Sequence, residues 1–196
     1  MATQGRDCAP GPTNERVINM RKLILLALCL IPFPAAALAQ EPATPAPAAI
    51  PSPMLSEDWA KAVCAEWNKD EVLSKGLKDS GWVSTTKNNR GFRIIEIYRA
   101  DCPASPHVQL KLQDKDGKAM CEGSGPMFDK DWDFLMYAET KDWVAMGKGD
   151  VGPMGGMMTG KLSFKGSMIE AMKNMGPFKN FLLLFGKIPS AVDKCN

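Results

Sequence analysis

Methionine is the residue type whose spacing in this chain is most unusual, and its thioether sulfur can line adaptable apolar surfaces or bind soft metal ions. Six of the 13 methionines lie between positions 154 and 175. They form two groups at helical spacing: Met154, Met157 and Met158, then Met168, Met172 and Met175.

Three uses of these side chains stay open: ordinary core packing, the wall of a cavity for an apolar ligand, or a thioether site for cuprous ion. The segment is more apolar than one small sheet needs, which favours the cavity wall. Helical spacing, with no accompanying histidine or free thiol, is unlike the short methionine repeats of copper carriers.

Four cysteines remain if an N-terminal leader is removed: Cys64, Cys102, Cys121 and Cys195. An even number in an exported chain predicts two disulfides. None of the pairs has the CxxC spacing of a redox site, a zinc ribbon or a c-type haem attachment. Cys102 precedes a predicted strand and Cys121 lies on its hairpin partner, so we expect Cys102–Cys121 and, by remainder, Cys64–Cys195.

Groups that could carry catalysis are sparse. His107 is the only histidine, and the alternation of its strand places it on the polar face, as a solvated surface residue. Serine, threonine and acidic residues form no nucleophile elbow, phosphate loop or acidic pair in an apolar setting. The sequence therefore predicts a protein that is not an enzyme and that uses no metal or cofactor.

The first 39 residues have the pattern of a secretory leader. Met20-Arg21-Lys22 opens a basic stretch, residues 23–31 are apolar, and Ala37-Leu38-Ala39 offers small residues to signal peptidase. We expect the true start at Met20, cleavage after Ala39, and a mature protein in the periplasm or outside the cell.

The mature chain divides into a linker and one domain, and its charge is balanced. Residues 40–54 alternate proline with alanine and serine, which predicts an extended tether, and residues 55–196 form the folded domain. Removing residues 1–39 takes away four basic and two acidic side chains and leaves 20 of each. A nucleic-acid-binding protein would need a basic surplus, so that partner class is excluded.

Hydrophobic periodicity in residues 55–196 predicts an α+β domain in which helices flank an antiparallel sheet. Ser56 is expected to cap a first helix whose apolar face holds Trp59, Val63, Cys64 and Trp67. Strands are predicted at 82–86, 92–99, 107–113, 118–122, 134–138 and 161–165. Later helices are predicted after Thr140, at 152–158, after a capping box at 167–170, and at 177–185.

Two stretches of the domain resemble the sterol carrier protein type 2 family. Residues 133–167 read DFLMYAETKDWVAMGKGDVGPMGGMMTGKLSFKGS. They follow the family order of an apolar strand, a short helix with an aromatic residue, a GxxxP-like stretch, a small apolar helix and a Gly-Lys-Leu-x-x-x-Gly strand. Residues 55–77, LSEDWAKAVCAEWNKDEVLSKGL, are similar to the first helix of bacterial members.

The resemblance implies a five-stranded, mainly antiparallel sheet covered by helices, with an apolar tunnel between them. Family members bind sterols, fatty acyl chains or other lipids without altering them. The expected lining is Trp143, Met146, Met154, Met157, Met158, Leu162, Phe164, Met168, Met172, Phe178, Phe181 and Phe185.

Two departures qualify the resemblance. The cysteines and the leader place this chain outside the cytoplasm, and the longer, interrupted helix after Gly166 alters the lid over the tunnel. We therefore expect a periplasmic carrier of a sterol-like, quinone or fatty-acyl ligand that makes transient contact with a membrane surface. The alternatives are an accessory module that presents a lipid to a membrane enzyme and, less well supported, a copper(I) carrier.

Overall fold

A computed structural model describes residues 51–195 of the chain. Its helices are α1 (Glu57–Lys69), α2 (Glu71–Asp79), α3 (Thr140–Lys148), α4 (Pro153–Met158), α5 (Met168–Lys173) and α6 (Met175–Lys187), with a 3₁₀ turn at Lys87–Asn89. Its strands are β1 (Phe92–Arg99), β2 (Val108–Lys115), β3 (Lys118–Pro126), β4 (Phe134–Ala138) and β5 (Ser163–Lys165). None of these helices is long and apolar enough to cross a membrane.

The five strands form one sheet in the order β3-β2-β1-β4-β5. Three neighbouring pairs are antiparallel, but β1 and β4 run parallel, with Ile95 opposite Phe134. The predicted α+β class and mainly antiparallel sheet are confirmed. The antiparallel pairing expected from hydrophobic periodicity is wrong for β4, because the chain leaves β3 and crosses β2 and β1 before it pairs with the far side of β1.

The crossing segment runs over the face of the sheet that carries no helices. The Gln109 side chain on β2 accepts hydrogen bonds from the backbone N–H groups of Phe128 and Asp129 and donates to the Asp129 carbonyl. Asp133 then accepts the Ile94 N–H at 2.7 Å. These bonds satisfy a buried amide and fix where β4 begins.

The helices cover the opposite face, and α6 is the central element of that layer. Phe181 lies 5.7 Å from Trp67 between ring centroids, and Phe185 lies 4.7 Å from Trp59. Trp143 stacks on Phe185 at 4.3 Å. One helix that is apolar almost all round therefore joins α1 and α3 through aromatic contacts, as expected for a helix buried on most sides.

The crossing of α3 and α6 depends on two glycines. A Cβ atom built on Gly186 would lie 2.3 Å from the Gly147 carbonyl oxygen, and one on Gly147 would lie 2.6 Å from the Gly186 nitrogen. No larger side chain fits at either position without separating the helices. Gly186, which the sequence placed just beyond the last helix, therefore lies inside it as a packing residue.

The first helix is confirmed, including its cap. The Ser56 hydroxyl accepts the Trp59 N–H at 3.2 Å, and the predicted face of α1 is buried. Leu55 begins the family-like segment, but Met54 is already only 1% exposed, and its N–H donates to the Ala191 carbonyl. The packed domain thus starts before residue 55, while residues 1–50, with the predicted leader and most of the tether, lie outside the described part.

The strand predicted at 82–86 is wrong. This stretch forms turns, because Gly81 has a φ of +75° and the Val83 N–H bonds to the Leu77 carbonyl at the end of α2. Trp82 is buried, 3% exposed, against Phe134 rather than in a sheet. The apolar residues of this stretch are therefore buried within turns and not in a strand.

The break between the last two helices also falls elsewhere than predicted. The Ser167 capping interaction is confirmed, since its hydroxyl accepts the Glu170 N–H. However, the helical stripe ends at Asn174, whose φ of −114° and ψ of 24° are non-helical. Pro177 lies in the first turn of α6, where a missing N–H costs little.

All four cysteines form disulfides, but the predicted pairing is wrong. The bonds join Cys64 to Cys121 and Cys102 to Cys195. Cys121 lies opposite Leu112 in the middle of β2, whereas Cys102 lies before the first residue of that strand, Val108. The register therefore keeps these two residues apart, and Cys121 faces α1 instead.

The Cys64–Cys121 bond belongs to a wider attachment of α1 to β3. The Asn68 amide donates to the Cys121 carbonyl at 3.0 Å and accepts the Cys121 N–H at 2.7 Å. The Trp67 indole donates to the Ala119 carbonyl at 2.8 Å. One helix face thus contributes a covalent bond and three hydrogen bonds to a single strand.

Candidate ligand-binding site

An apolar cleft lies between the sheet and the C-terminal helices. It is formed by β4, the residues around β5, and helices α4, α5 and α6. Its lining is entirely apolar: Met136, Pro153, Met157, Leu162, Phe164, Ala171, Met175, Phe178, Phe181 and Leu182. A surface of this kind binds hydrocarbon and offers no group for acid–base or nucleophilic chemistry.

The cleft is nearly closed. The space outside protein atoms is about 280 Å³, but the part that can hold the centre of a water molecule is only about 10 Å³, roughly enough for one water. Pockets that enclose small-molecule ligands typically measure about 300–1,000 Å³. The apolar tunnel that the family resemblance implies is therefore not seen within residues 51–195.

The predicted lining residues fall into three places. Five line the cleft: Met157, Leu162, Phe164, Phe178 and Phe181. Three are buried in the core around α3 and do not line the cleft: Trp143, Met146 and Phe185. Four lie on the surface, with exposed fractions of 39% for Met154, 80% for Met158, 47% for Met168 and 56% for Met172.

Helix ends explain why the methionine pattern divides this way. Because Asn174 interrupts the helix, Met175 belongs to α6 and lines the cleft, while Met168 and Met172 on α5 do not follow it inward. On α4, Met157 points to the cleft side and its neighbour Met158 is exposed. Helical spacing showed that these methionines share a side of their helices, but it did not show which of them the rest of the domain would bury.

Sequence reasoning missed five lining residues: Met136, Pro153, Ala171, Met175 and Leu182. Three of them had usable signals, and one of these is Met175, which belongs to the second methionine group. Met136 alternates with Phe134 and Ala138 on the core face of β4, and Leu182 is one turn from Phe178. Ala171 had none, since its small side chain matters only because a short helix lies over the cleft.

The α6 side of the cleft is held to α2 by Asp70. The carboxylate caps α2 by accepting the Leu73 N–H at 3.0 Å, accepts the Asn180 amide at 3.1 Å, and lies 3.6 Å from the Lys187 ammonium. Burial raises the pKa of Asp70, but these hydrogen bonds and the Lys187 charge lower it more, and the net pKa is below its ordinary value.

His107 lies away from the cleft, on the sheet face without helices. As predicted it is exposed, but it is not isolated: its Nδ1 is 2.7 Å from a Glu96 carboxylate oxygen, and its ring stacks on Tyr98 at 4.1 Å. Burial, together with the neighbouring Tyr137 and Glu96, raises the pKa of Tyr98. Residues 51–195 contain no cluster of histidine, cysteine and acidic side chains that could hold a metal ion.

Several solved structures are similar to part of this chain at low identity. A crystal structure of sterol carrier protein 2 is 21% identical, with 69% of this chain and 98% of that chain covered and a TM-score of 0.46. A conserved hypothetical protein from Thermus thermophilus, suggested to be a sterol carrier protein, is 19% identical, with coverage of 72% and 95% and a TM-score of 0.48. A UbiJ-SCP2 ubiquinone synthesis protein is 13% identical, with coverage of 67% and 93% and a TM-score of 0.39.

Family membership rests on the sequence. No curated protein sequence matches the chain significantly. The family model described as the SCP-2 sterol transfer family matches residues 55–179, which include α1, the whole sheet and most of the cleft lining. The chain therefore belongs to the SCP-2 sterol transfer family.

Proposed function

We propose that this protein is an exported carrier that takes up an apolar, lipid-sized molecule in the cleft and transfers it chemically unchanged. The observation that carries the proposal is the all-apolar lining between the sheet and two short helices. Membership of a lipid-binding family supports the same function. The cargo classes that suit such a lining are sterols or related polycyclic lipids, quinones and fatty acyl chains.

Uptake requires α4 and α5 to move outward, because the closed cleft has space for about one water. Both helices have only six residues. The buried residues of α4 are Pro153 and Gly156, and that of α5 is Ala171 alone. Elements that bury so little surface separate from the rest of a domain at low cost.

The outer surface of the same two helices favours contact with a membrane. Its exposed apolar side chains are Met154, Met158, Met168, Ile169 and Met172. Between residues 153 and 187 the chain has five lysines and one acidic residue, Glu170. Exposed apolar side chains on a segment rich in lysine suit the interface of an anionic bilayer, where a carrier would load and release its cargo.

Export is supported by residues on both sides of the leader boundary. The basic, apolar and small-residue order of residues 20–39 is typical of a secretory signal. Two disulfides in the domain suit an oxidising compartment. Expression with the native leader in a Gram-negative host, followed by N-terminal sequencing of the periplasmic protein, should give a chain that begins at Gln40.

Adjacent methionines provide a matched test of the binding site. Met157→Lys places a charge in the cleft lining, whereas Met158→Lys places the same charge on an exposed side chain. We expect the first variant to weaken binding of a fluorescent fatty acid and a fluorescent sterol by about 10-fold or more, because hydrocarbon would have to cover a charge. The second should change either dissociation constant by less than about 2-fold.

Thermal unfolding of both variants is the control, since both should remain folded. Equal binding by Met157→Lys and the unchanged protein would place the ligand elsewhere. No detectable binding of either probe to the unchanged protein would contradict the carrier function itself.

Membrane contact is tested separately by sedimentation with vesicles. Vesicles containing phosphatidylglycerol should bind the protein more strongly than pure phosphatidylcholine vesicles, with the difference reduced by salt. Replacing Met158 and Ile169 together with serine should lower that binding without changing the affinity for a soluble probe. Equal binding to both vesicle types would contradict the proposed role of the lysines.

A further inference from the structure

A second, polar recess lies on the other side of α5 from the apolar cleft. It has a volume of about 170 Å³. The residues used below that line it are Trp82, Thr85, Arg93, Glu170, Lys173 and Asn174. The carrier function proposed above assigns none of them a role in holding the cargo.

The central group of this recess is the Arg93 guanidinium, although Arg93 is only 5% exposed. Its Nε donates to the Trp82 carbonyl at 2.9 Å, one Nη donates to the Thr85 carbonyl, and the other lies 3.2 Å from the Asp133 carboxylate. Trp82 and Thr85 lie in the turns after α2, and Asp133 directly precedes β4, so none of these partners belongs to α4 or α5. They hold the cation in a fixed position at the end of the sheet.

The remaining partner of Arg93 comes from α5. The two Glu170 carboxylate oxygens lie 3.1 and 3.4 Å from the two Nη atoms, in the forked arrangement typical of an arginine–carboxylate pair. Glu170 is also the only acidic residue of α4, α5 and α6. A single ion pair therefore connects this short helix to a buried cation.

The same helix separates the recess from the cleft. Ala171 lines the apolar cleft, and its neighbour Glu170 lines the recess. The ring of Trp82, a recess residue, is 6.2 Å from that of Phe178, a cleft residue. Outward movement of α5 would therefore join the two spaces and at the same time remove Glu170 from Arg93.

The recess also contains polar atoms that lack partners in the closed form. The Trp82 indole N–H and the Asn174 side-chain oxygen are both buried and make no hydrogen bond within residues 51–195. Buried groups of this kind gain free energy when a polar partner reaches them. A carboxylate, which only accepts hydrogen bonds, could satisfy the indole N–H but not the amide oxygen.

We propose that Arg93 binds the carboxylate of a fatty-acid ligand, which takes the place of Glu170 while the hydrocarbon chain fills the cleft. The inference rests on the proposed carrier function and specifies its ligand class. Exchange of one carboxylate for another keeps the buried cation paired. A neutral ligand would open α5 without replacing Glu170, so the site should select against it.

The test compares palmitic acid with 1-hexadecanol, which has the same chain and no charge. Each competes with a neutral fluorescent sterol for the full-length mature protein, and the dissociation constants are measured. We expect the acid to bind roughly 10-fold or more tighter than the alcohol, the range that hydrogen bonds to a charged group provide.

Three variants assign the selectivity to its residues. Glu170→Gln should strengthen binding of both compounds by a similar factor of several-fold, because it releases α5 without altering the bound state. The double variant Arg93→Gln, Glu170→Gln removes both charges of the pair, which protects folding, and should reduce the preference for the acid to less than about 2-fold. Lys173→Gln, a change at the exposed rim, should keep the preference.

Four outcomes would overturn the inference. Equal binding of acid and alcohol to the unchanged protein would leave the carrier function intact and contradict only the role of Arg93. A preference that survives in the double variant would place the carboxylate elsewhere, and one lost in Lys173→Gln would assign it to the rim charge. Absence of binding by the acid, the alcohol and the sterol alike would contradict the carrier function, and the inference would fall with it.

Discussion

The two ends of the sheet are covered in opposite ways. At the β3 end, α1 has 13 residues, a disulfide to the strand and three side-chain hydrogen bonds to its backbone. At the β5 end, α4 and α5 have six residues each, and α5 is held by one buried alanine and one ion pair. Helices cover the sheet at both ends, but of α1, α4 and α5 only α1 is joined to a strand by a disulfide.

This difference shows where the molecule can open. The apolar face of α1 is buried, whereas the large side chains of Met158, Ile169 and Met172 on α4 and α5 remain exposed beside a nearly closed cleft. Because packing density is what makes a core resist deformation, we expect the first region to unfold only with the whole domain. The second region should open locally.

The largest expected effect on the free energy of unfolding comes from a substitution in the contact between α1 and β3. Trp67→Ala removes a fully buried ring and its hydrogen bond to Ala119, and we expect it to lower the free energy of unfolding by roughly 3–5 kcal/mol. Met158→Ala, at the open end, should change it by less than about 0.5 kcal/mol. Urea denaturation measures both, and similar losses would remove the contrast between the two ends.

Removal of the α1–β3 disulfide should be nearly as costly. Cys64 and Cys121 are separated by 57 residues, and replacing both with alanine should lower the free energy of unfolding by about 2–5 kcal/mol. The matched control is the Cys102–Cys195 bond, which spans 93 residues. If chain entropy dominates, its removal costs slightly more. A much smaller cost at Cys64–Cys121 would show that the noncovalent contacts suffice.

Oxidation with dilute peroxide compares the two ends without mutation. Met158 and Met172 are exposed, whereas Met54 and Met146 are 1% exposed within the packed core. We expect the exposed pair to form sulfoxide at least about 10-fold faster, as peptide mass spectrometry can follow over time. Met157, in the cleft lining, should react at an intermediate rate that falls when ligand is bound. Uniform rates would mean that the whole domain opens together.

The smallest effect concerns the pH dependence of the α2–α6 attachment. The folded-state pKa of Asp70 lies below its ordinary value of 3.8, so its contribution is complete above pH 3.8 and is lost as pH falls through the folded pKa. Asp70→Asn keeps a capping side chain and should weaken the loss of stability on acidification, by about 1 kcal/mol or less.

Denaturant titrations at several pH values below 6 measure this dependence. Asp79→Asn, a change to an exposed side chain on the same helix, is the control and should retain the dependence of the unchanged protein. An Asp70 variant with an unaltered acid transition would assign that transition to other carboxylates.

Local patterns predicted much of the fold, and long-range placement was the part that failed. The first helix, its Ser56 cap and the β2–β3 hairpin follow from residues close in sequence. The parallel pairing of β4 and the partners of Cys64 and Cys102 depend on a chain crossing and a register that no local signal contains. Four correct cysteines with the wrong pairing show this limit.

For the candidate site, too, local patterns predicted some residues and failed for those whose position depends on long-range packing. Phe178 and Phe181 were identified because an apolar helix must face the interior, and both line the cleft. Met158 shared the stripe of Met157 but is exposed, since a six-residue helix covers only part of its own periphery. Arg93 was not identified, because its strand also contains Glu96 and Arg99 without a motif, and its partners come from three separate segments.

The Asn68 contact with β3 has a consequence for how molecules meet each other. Its amide occupies the N–H and carbonyl of Cys121 as a neighbouring strand would, and at the opposite edge β5 has only three residues. Little free strand backbone is thus available for a second molecule to extend the sheet, which protects against edge-to-edge polymerisation. Reduction of Cys64–Cys121 would loosen the helix that shields this edge, so we expect the reduced protein to form fibrous aggregates well before the oxidised protein does.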